Sequence, residues 1–188
     1  RLFFSLYSGG DHTVFNKLIK GYGMDWGNAT ATVRWNHILN DRTNINTSAV
    51  FSNYYYRYKS LADGLQYLWK SDMQSYQLKS DWETHLNNSL SLKTGVSAHF
   101  FTTMPGSVEK YGDESNVVPS RLPKKTLWDI ALYAEGEYKF LSRFQLNAGV
   151  RLSVLCAPSS SSYGAKTYVV PEPRAELSYT LNPSNRIT

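Results

Sequence analysis

The chain has 188 residues, 41% hydrophobic and 14% aromatic, with 14 tyrosines, 5 tryptophans, one cysteine and a net charge of +5. That length suits one ordinary domain, and the lone Cys156 excludes an intrachain disulfide and a thiolate metal site. The basic residues are scattered, with Lys124-Lys125 the densest spot, so nucleic acid is not an expected partner.

Taken in order, the chain alternates apolar and polar residues from end to end, with almost no helical period. Leu2–Ser8 reads as a short strand. Asn28–Ile38 sets Ala29, Ala31, Val33 and Trp35 against Thr30, Thr32, Arg34 and Asn36. Asn44–Tyr55 is softer, with Ile45, Ala49, Phe51 and Tyr55 on one face. Ser75–Leu86 sets Tyr76, Leu78, Trp82 and Leu86 against Gln77, Lys79, Asp81 and Glu83. Ser89–Phe101 sets Leu90, Leu92, Val96, Ala98 and Phe100 against Ser91, Lys93, Ser97 and His99. In 127–155, Trp128, Ile130, Leu132, Ala134, Tyr138 and Phe140 are followed, after a polar corner, by Leu146, Ala148, Val150, Leu152 and Val154. Pro171–Leu181 closes the series with Pro173, Ala175, Leu177, Tyr179 and Leu181 against Glu172, Arg174, Glu176 and Ser178.

Short and long connections take turns. Tight corners fall near Leu39–Thr43, Asn87–Ser89, Leu141–Arg143 and Asn182–Arg186. Long polar segments fall near Gly9–Gly27, Tyr56–Lys70, Thr102–Thr126 and Cys156–Val170, the last holding a low-complexity loop tip at Ser159–Ser162. The apolar residues flanking three corners share parity: Leu86 with Leu90, Phe140 with Phe144, and Leu181 with Ile187. Residues facing each other in a hairpin share a face, and a one-residue slip would reverse it.

No apolar run approaches the ~18 residues of a transmembrane helix, and the mean hydropathy is −0.42. That description also fits transmembrane barrels, whose strands put only every second residue in lipid. Three features favour such a barrel over a soluble one. The clear strands run roughly 10–12 residues, against about 5–6 for soluble strands and about 9–11 for a tilted membrane strand. The connections alternate as short periplasmic turns and long extracellular loops do. The polar face carries Arg34, Lys93, Glu135, Glu137, Arg151, Arg174 and Glu176, suited to a wet lumen, with Arg151 expected diagonally near Glu135. The expected fold is all-β: an antiparallel transmembrane β-barrel segment of about eight meandering strands. Arg1-Leu2-Phe3-Phe4 already reads as strand, and Arg186-Ile187-Thr188 as the start of another. Residues 1–188 are therefore expected to be part of a single barrel domain, without its remaining strands.

Gly23-Met24-Asp25-Trp26-Gly27-Asn28-Ala29-Thr30-Ala31-Thr32-Val33-Arg34-Trp35-Asn36 resembles a barrel strand of TonB-dependent outer-membrane receptors of the type common in Bacteroidota. So do Tyr133-Ala134-Glu135-Gly136-Glu137-Tyr138-Lys139-Phe140, Leu146-Asn147-Ala148-Gly149-Val150-Arg151-Leu152-Ser153, and Pro173-Arg174-Ala175-Glu176-Leu177-Ser178-Tyr179. The resemblance covers essentially the whole chain. It implies a barrel of about 22 strands filled by an N-terminal plug, set in outer-membrane lipid. It also implies import of a small-molecule or oligosaccharide cargo, driven by TonB pulling on an N-terminal box. Neither plug nor box is among these residues.

No catalytic constellation, metal site or cofactor motif is read from the sequence. His37 and His85 fall near short turns and read as rim residues, while His12 and His99 are placed toward the long loops. His99 with Asp113 or Ser107 is the one arrangement a rim hydrolase could use. Asp113-Glu114 is an incomplete cation site and reads as solvated loop charge. The Asn28-Ala29-Thr30 triplet matches a glycosylation pattern by chance.

Tyr54-Tyr55-Tyr56, Tyr58, Tyr67 and Trp69 cluster at a long-loop rim, as an aromatic girdle or as a stacking platform for cargo. Alternation sends Tyr55 to lipid, leaving Tyr54 and Tyr56, with Tyr67 and Trp69, as the candidate substrate-facing residues. Trp26 and Trp128 read as interface anchors. The leading reading is a nutrient-importing receptor barrel in a bacterial outer membrane, with no enzyme activity. The alternatives are a passive porin, a soluble ligand-binding barrel that would bury Leu132, Leu152 and Leu177, and an outer-membrane hydrolase dependent on His99.

Overall fold

The computed structural model describes residues 1–17, 20–62, 65–141, 143–158, 164–182 and 185–187. The described residues form one antiparallel sheet: β1 (Leu2–Lys17), β2 (Lys20–Asn40), β3 (Thr43–Ser60), β4 (Tyr67–His85), β5 (Leu90–Lys110), β6 (Ser120–Arg121), β7 (Lys125–Phe140), β8 (Phe144–Ala157), β9 (Lys166–Asn182) and β10 (Asn185–Ile187). The path is a meander in chain order, with short β6 pairing only the outer end of β5. It runs from β1 to β10 without returning, so the sheet is open. Among the described residues no helix is long and apolar enough to cross a membrane.

The register explains the alternation. Phe4, Val33, Ala49, Leu78, Ala98, Ile130, Val154 and Val169 stand opposite one another in one row across eight strands. One residue away, the row reads Phe3, Arg34, Ser48, Lys79, Ser97, Ala131, Ser153 and Val170. A slip of one residue in any strand would mix these rows and put a charge on the apolar face. The corners keep the register: Phe140 stands opposite Phe144, and the Leu86 amide donates to the Leu90 carbonyl at 2.9 Å. Ile187 pairs with Tyr179 through a register shift and stays on the apolar face, as its parity with Leu181 requires.

The apolar face is the bare one. Leu132, Leu152 and Leu177 are 60%, 43% and 55% exposed, whereas Ala131, on the polar face, is 1% exposed. A soluble barrel would bury those leucines, so that alternative fails on its own criterion.

Two belts of rings bound this face. Phe51, Tyr76, Phe100 and Trp128 contact in succession across β3, β4, β5 and β7, with centroids 5.0, 6.2 and 4.4 Å apart. Toward the short turns, Tyr138, Phe140, Phe144 and Tyr179 do the same at 5.6, 5.4 and 4.7 Å. On β7, Trp128 and Tyr138 are ten residues apart, roughly 33 Å at ~3.3 Å per residue. A strand tilt of ~40° reduces that to about 25 Å of height, the apolar band of an outer-membrane barrel between its aromatic girdles.

The strands exceed their sequence estimate. β2 and β5 have 21 residues and even β8 has 14. Most of the segments expected as long loops are strand: Gly9–Gly27 is paired as far as Lys17↔Lys20, and β3 and β4 stay paired out to Ser60↔Tyr67. Alternation of polarity stops in these outer segments, but backbone pairing needs no apolar face and continues. The Ser159–Ser162 tip, residue 142 of one corner and residues 183–184 of another lie outside the described residues.

Candidate functional site

The polar face holds two candidate regions. The first is a charged wall in the half nearer the short turns. Register puts Arg34, Lys93, Glu135, Glu137, Arg151, Arg174 and Glu176 all on this face. Its centre is Tyr133, which stands opposite Gly95 on β5 and donates its hydroxyl to Asp81 on β4. The ring passes over β5 because Gly95 has no side chain; a Cβ there would run into the Tyr133 ring and fall 2.7 Å from the Ser80 carbonyl oxygen. Lys79 and Arg151 each lie 5.8 Å from the ring centroid, a distance at which a cation is drawn to an aromatic face. Lys79 also pairs with Asp81 at 2.9 Å.

Arg151 stands diagonal to Glu135, as the alternation requires, but it forms its ion pair elsewhere. Its carboxylate partner is Glu172 at 3.8 Å, with Ser153 accepting from its Nε at 3.1 Å and Ser97 from its Nη2 at 3.5 Å. Glu172 is directly opposite Arg151, whereas Glu135 is one step diagonal and stands opposite Gly149 and Lys93. Arg174 joins Glu172 at 3.6 Å. A cavity of about 280 Å³ lies among these groups, lined by four cations (Lys79, Lys93, Arg151, Arg174) and three carboxylates (Asp81, Glu135, Glu172). Glu137 pairs along its own strand with Lys139 at 2.9 Å, and Glu176 accepts from Ser178 at 3.4 Å. Both long reaches, Tyr133 to Asp81 over β5 and Arg151 to Ser97 over β7, are on this face.

The second region is an aromatic rim where β1–β4 project beyond the outer belt. Phe15, Tyr22, Tyr58 and Tyr67 follow one another at 4.8, 6.1 and 6.0 Å. Burial, with the neighbouring phenols of Tyr67, Tyr56 and Tyr22, pushes the Tyr58 phenol above its ordinary value of 10.0, so it stays a hydroxyl donor. Tyr54 and Tyr56 lie on the same face, nearer the membrane band. Tyr56 donates to the Met24 sulfur at 3.5 Å. Trp69, also on this face, packs its ring against Gly106 at the β5 irregularity. Trp26 stands opposite Tyr56 and so faces this rim; it is not a lipid anchor, because the bulk of its strand sends even-numbered residues to the polar side. Tyr55 takes the outward face, its ring over Gly27.

The outward face beyond the belt carries paired charges. His12 and Asp25 form a close hydrogen-bonded pair, and Lys59 approaches Asp25 at 3.5 Å. The His12 hydrogen bond, helped by Lys59, holds the Asp25 carboxyl below its ordinary value of 3.8. Arg57 pairs with Asp72 at 2.8 Å and Lys70 with Glu109 at 2.5 Å.

The histidines settle into local roles. His85 bonds Ser91 at 2.8 Å near a short turn, and His37 stacks on Trp35 with centroids 5.1 Å apart. His99 meets neither Asp113 nor Ser107. Its Nε2 bonds Ser75 Oγ at 2.7 Å, and an irregularity in β5 turns Ser107 to the opposite face, beside Lys70. Asp129 stands opposite His99, but its Oδ1 is buried without a hydrogen-bond partner. The Ser75–His99 pair therefore lacks the base–orienter hydrogen bond that nucleophilic catalysis requires. Among the described residues no group of three or more His, Cys, Asp or Glu could hold a metal ion.

Sequence reasoning placed Glu172 on the polar face but missed its pairing with Arg151, the reach of Tyr133 and the outward ring belt. Each depends on which strand residues stand opposite, and only the Gly95–Tyr133 pairing of a bare and a bulky residue left a trace in the sequence.

The fold has solved relatives. The ferric preacinetobactin receptor BauA of Acinetobacter baumannii superposes with a TM-score of 0.71 at 13% identity, covering 96% of this chain and 35% of its own. The copper transporter OprC gives 0.69 at 10% identity, with 96% and 35% covered. The ferric-catecholate import receptor Fiu of E. coli K12, in its closed form, gives 0.62 at 16% identity, with 86% and 32% covered. The chain thus spans about a third of the length of these receptors. A search of curated protein sequences returned no match. The family described as "TonB dependent receptor-like, beta-barrel" matches residues 4–187. Its two-faced sheet, its pair of ring belts and that match agree: this chain belongs to the TonB-dependent receptor beta-barrel family.

Proposed function

We propose that residues 1–188 form one stretch of the wall of a single outer-membrane barrel, in a TonB-dependent receptor of the type common in Bacteroidota. The receptor binds a scarce nutrient from outside and imports it with energy from the inner membrane. The observation that carries this reading is the bare apolar face between two ring belts, together with the family match from residue 4 to 187. In lipid the open edges at β1 and β10 need partners, which further strands of a longer parent protein would provide. The parent's plug would fill the lumen against the charged wall around Tyr133, and TonB would engage the parent through a segment outside this barrel.

The cargo is a siderophore, vitamin or oligosaccharide, met at the rim by Tyr54, Tyr56, Tyr67 and Trp69. The neighbours named for ferric chelates and copper make a metal chelate the first to test. Flat rings offer a stacking surface to sugars and chelates alike.

Two measurements on the parent receptor test this. Single cysteines replace Leu132 or Glu135 on a Cys156→Ser background. Lipid-borne nitroxides should quench a label at 132, while a membrane-impermeant thiol reagent should reach 135. The opposite pattern would overturn the membrane reading. Uptake that persists after the inner-membrane energy source is collapsed would indicate a passive porin instead.

A further inference from the structure

A groove of about 850 Å³ crosses the outward face of the sheet just inside the long-loop end. That volume lies in the ~300–1,000 Å³ range of ligand sites. Ala31, Ala49 and Ala98 are its low points, with Leu78 standing between Ala49 and Ala98, and Phe51, Phe100 and Trp128 rise beside them. Its polar end is made by Gln74, Thr102 and Lys124. Thr102 stands opposite Gln74 on β4 and Thr126 on β7, one row beyond the outer ring belt. It is only 6% exposed, and its Oγ1 has no hydrogen-bond partner. An orphaned buried hydroxyl has a cost that a ligand oxygen would remove.

The charges are consistent with the same end. Arg57, Lys59 and Lys70, also on the outward face, each have a carboxylate within 4 Å. Among the described residues Lys124 carries no salt bridge, and it sits where the apolar groove meets the polar zone. An anionic group at that level is the complement the site lacks. A peptide strand would find no backbone partners there, because the face of a sheet offers only side chains. An acyl chain needs none.

We propose that this groove binds one acyl lipid with a phosphate-bearing headgroup, from the leaflet on the long-loop side. The chain lies against Leu78 and the alanines on either side of it, between the rings, and the phosphate accepts hydrogen bonds from Lys124, Gln74 and the Thr102 hydroxyl. The inference rests on the outer-membrane reading above.

The test uses the parent receptor extracted from its native membrane. Membrane fractionation and heat-modifiable gel mobility first report whether it is a folded outer-membrane barrel. Native mass spectrometry then follows binding of diphosphoryl lipid A and of its phosphate-free analogue. Lys124→Ala should weaken binding of the phosphorylated probe by roughly fivefold, the contribution of one basic residue beside an anionic lipid. Lys125→Ala should leave it unchanged, because Lys125, opposite Thr103, belongs to the polar face. Ala98→Trp should block the floor and reduce binding of both probes, and Thr102→Val should reduce only that of the phosphorylated one. Equal loss from Lys124→Ala and Lys125→Ala, or no preference for phosphate, would overturn the lipid site while a folded outer-membrane barrel left the receptor reading intact. Absence from the outer membrane would overturn both.

Discussion

The β7–β8 hairpin and the outer half of the β2–β3 pair have the same backbone and opposite side-chain logic. In β7–β8, outward residues are apolar almost without interruption, from Trp128 opposite Cys156 to Phe140 opposite Phe144. In outer β2–β3, the outward face turns within three rows from Phe51 to Asn53, Tyr55 and then Arg57, opposite Asp25. Pairing continues unchanged through both. Backbone hydrogen bonds are therefore indifferent to whether lipid or water lies beyond the side chains, whereas the side chains report it row by row.

Arginine substitution should break this comparison most strongly. Leu132→Arg, in the middle of the outward apolar band, should cost about 2–4 kcal/mol, and Asn53→Arg, beyond the belt, about 0–1 kcal/mol. Urea unfolding of the receptor in lipid vesicles measures both. Similar costs at the two positions would mean that the band boundary is misplaced.

A smaller effect sharpens the other face. Gly95→Val should cost about 1–3 kcal/mol through overpacking, since the Tyr133 ring and the Ser80 carbonyl occupy the space a Cβ needs. Tyr133→Phe keeps the ring and removes its hydroxyl from Asp81, which should cost about 1 kcal/mol. If the ring position matters more than the hydroxyl, the Gly95 change will exceed the Tyr133 one by the same unfolding assay.

The smallest effect belongs to the β1–β2 ribbon. Because the folded Asp25 carboxyl is held below its ordinary value of 3.8, its stabilisation is complete above that value and is lost as pH falls through the lower folded one. Amide protection factors in the ribbon around His12 and Asp25, taken relative to the intrinsic exchange rate at each pH, should therefore fall below about pH 4, and Asp25→Asn should abolish that response. An unchanged acid response in Asp25→Asn would place its origin in another carboxylate.

Much of the barrel was legible in the sequence. In Ser89–Phe101 and 127–155, alternation named the right face for the residues it assigned, because period-2 exposure follows from strand geometry alone, whereas Ala131, Tyr133 and Leu155 are apolar on the polar face. The same reasoning assigned all seven wall charges to the polar face. It lost its grip where polarity stopped alternating, so Gly9–Gly27 looked like a loop although it is mostly paired strand. It also misplaced Trp26, by reading a tryptophan near a loop as an anchor without applying the parity of its own strand.

The sequence by itself determined the fold class, the two faces and the position of the short turns, since each follows from local spacing along one strand. Only the tertiary structure decided partnerships between strands. Arg151 could meet Glu135 or Glu172, and the registers of β7, β8 and β9 chose Glu172. Phe51, Tyr76, Phe100 and Trp128 lie far apart in the chain, and a belt forms only when four strands align them. The physical reason is the same in each case: alternation sets the direction of a side chain, but its neighbour is set by the stagger between strands, which no single strand encodes.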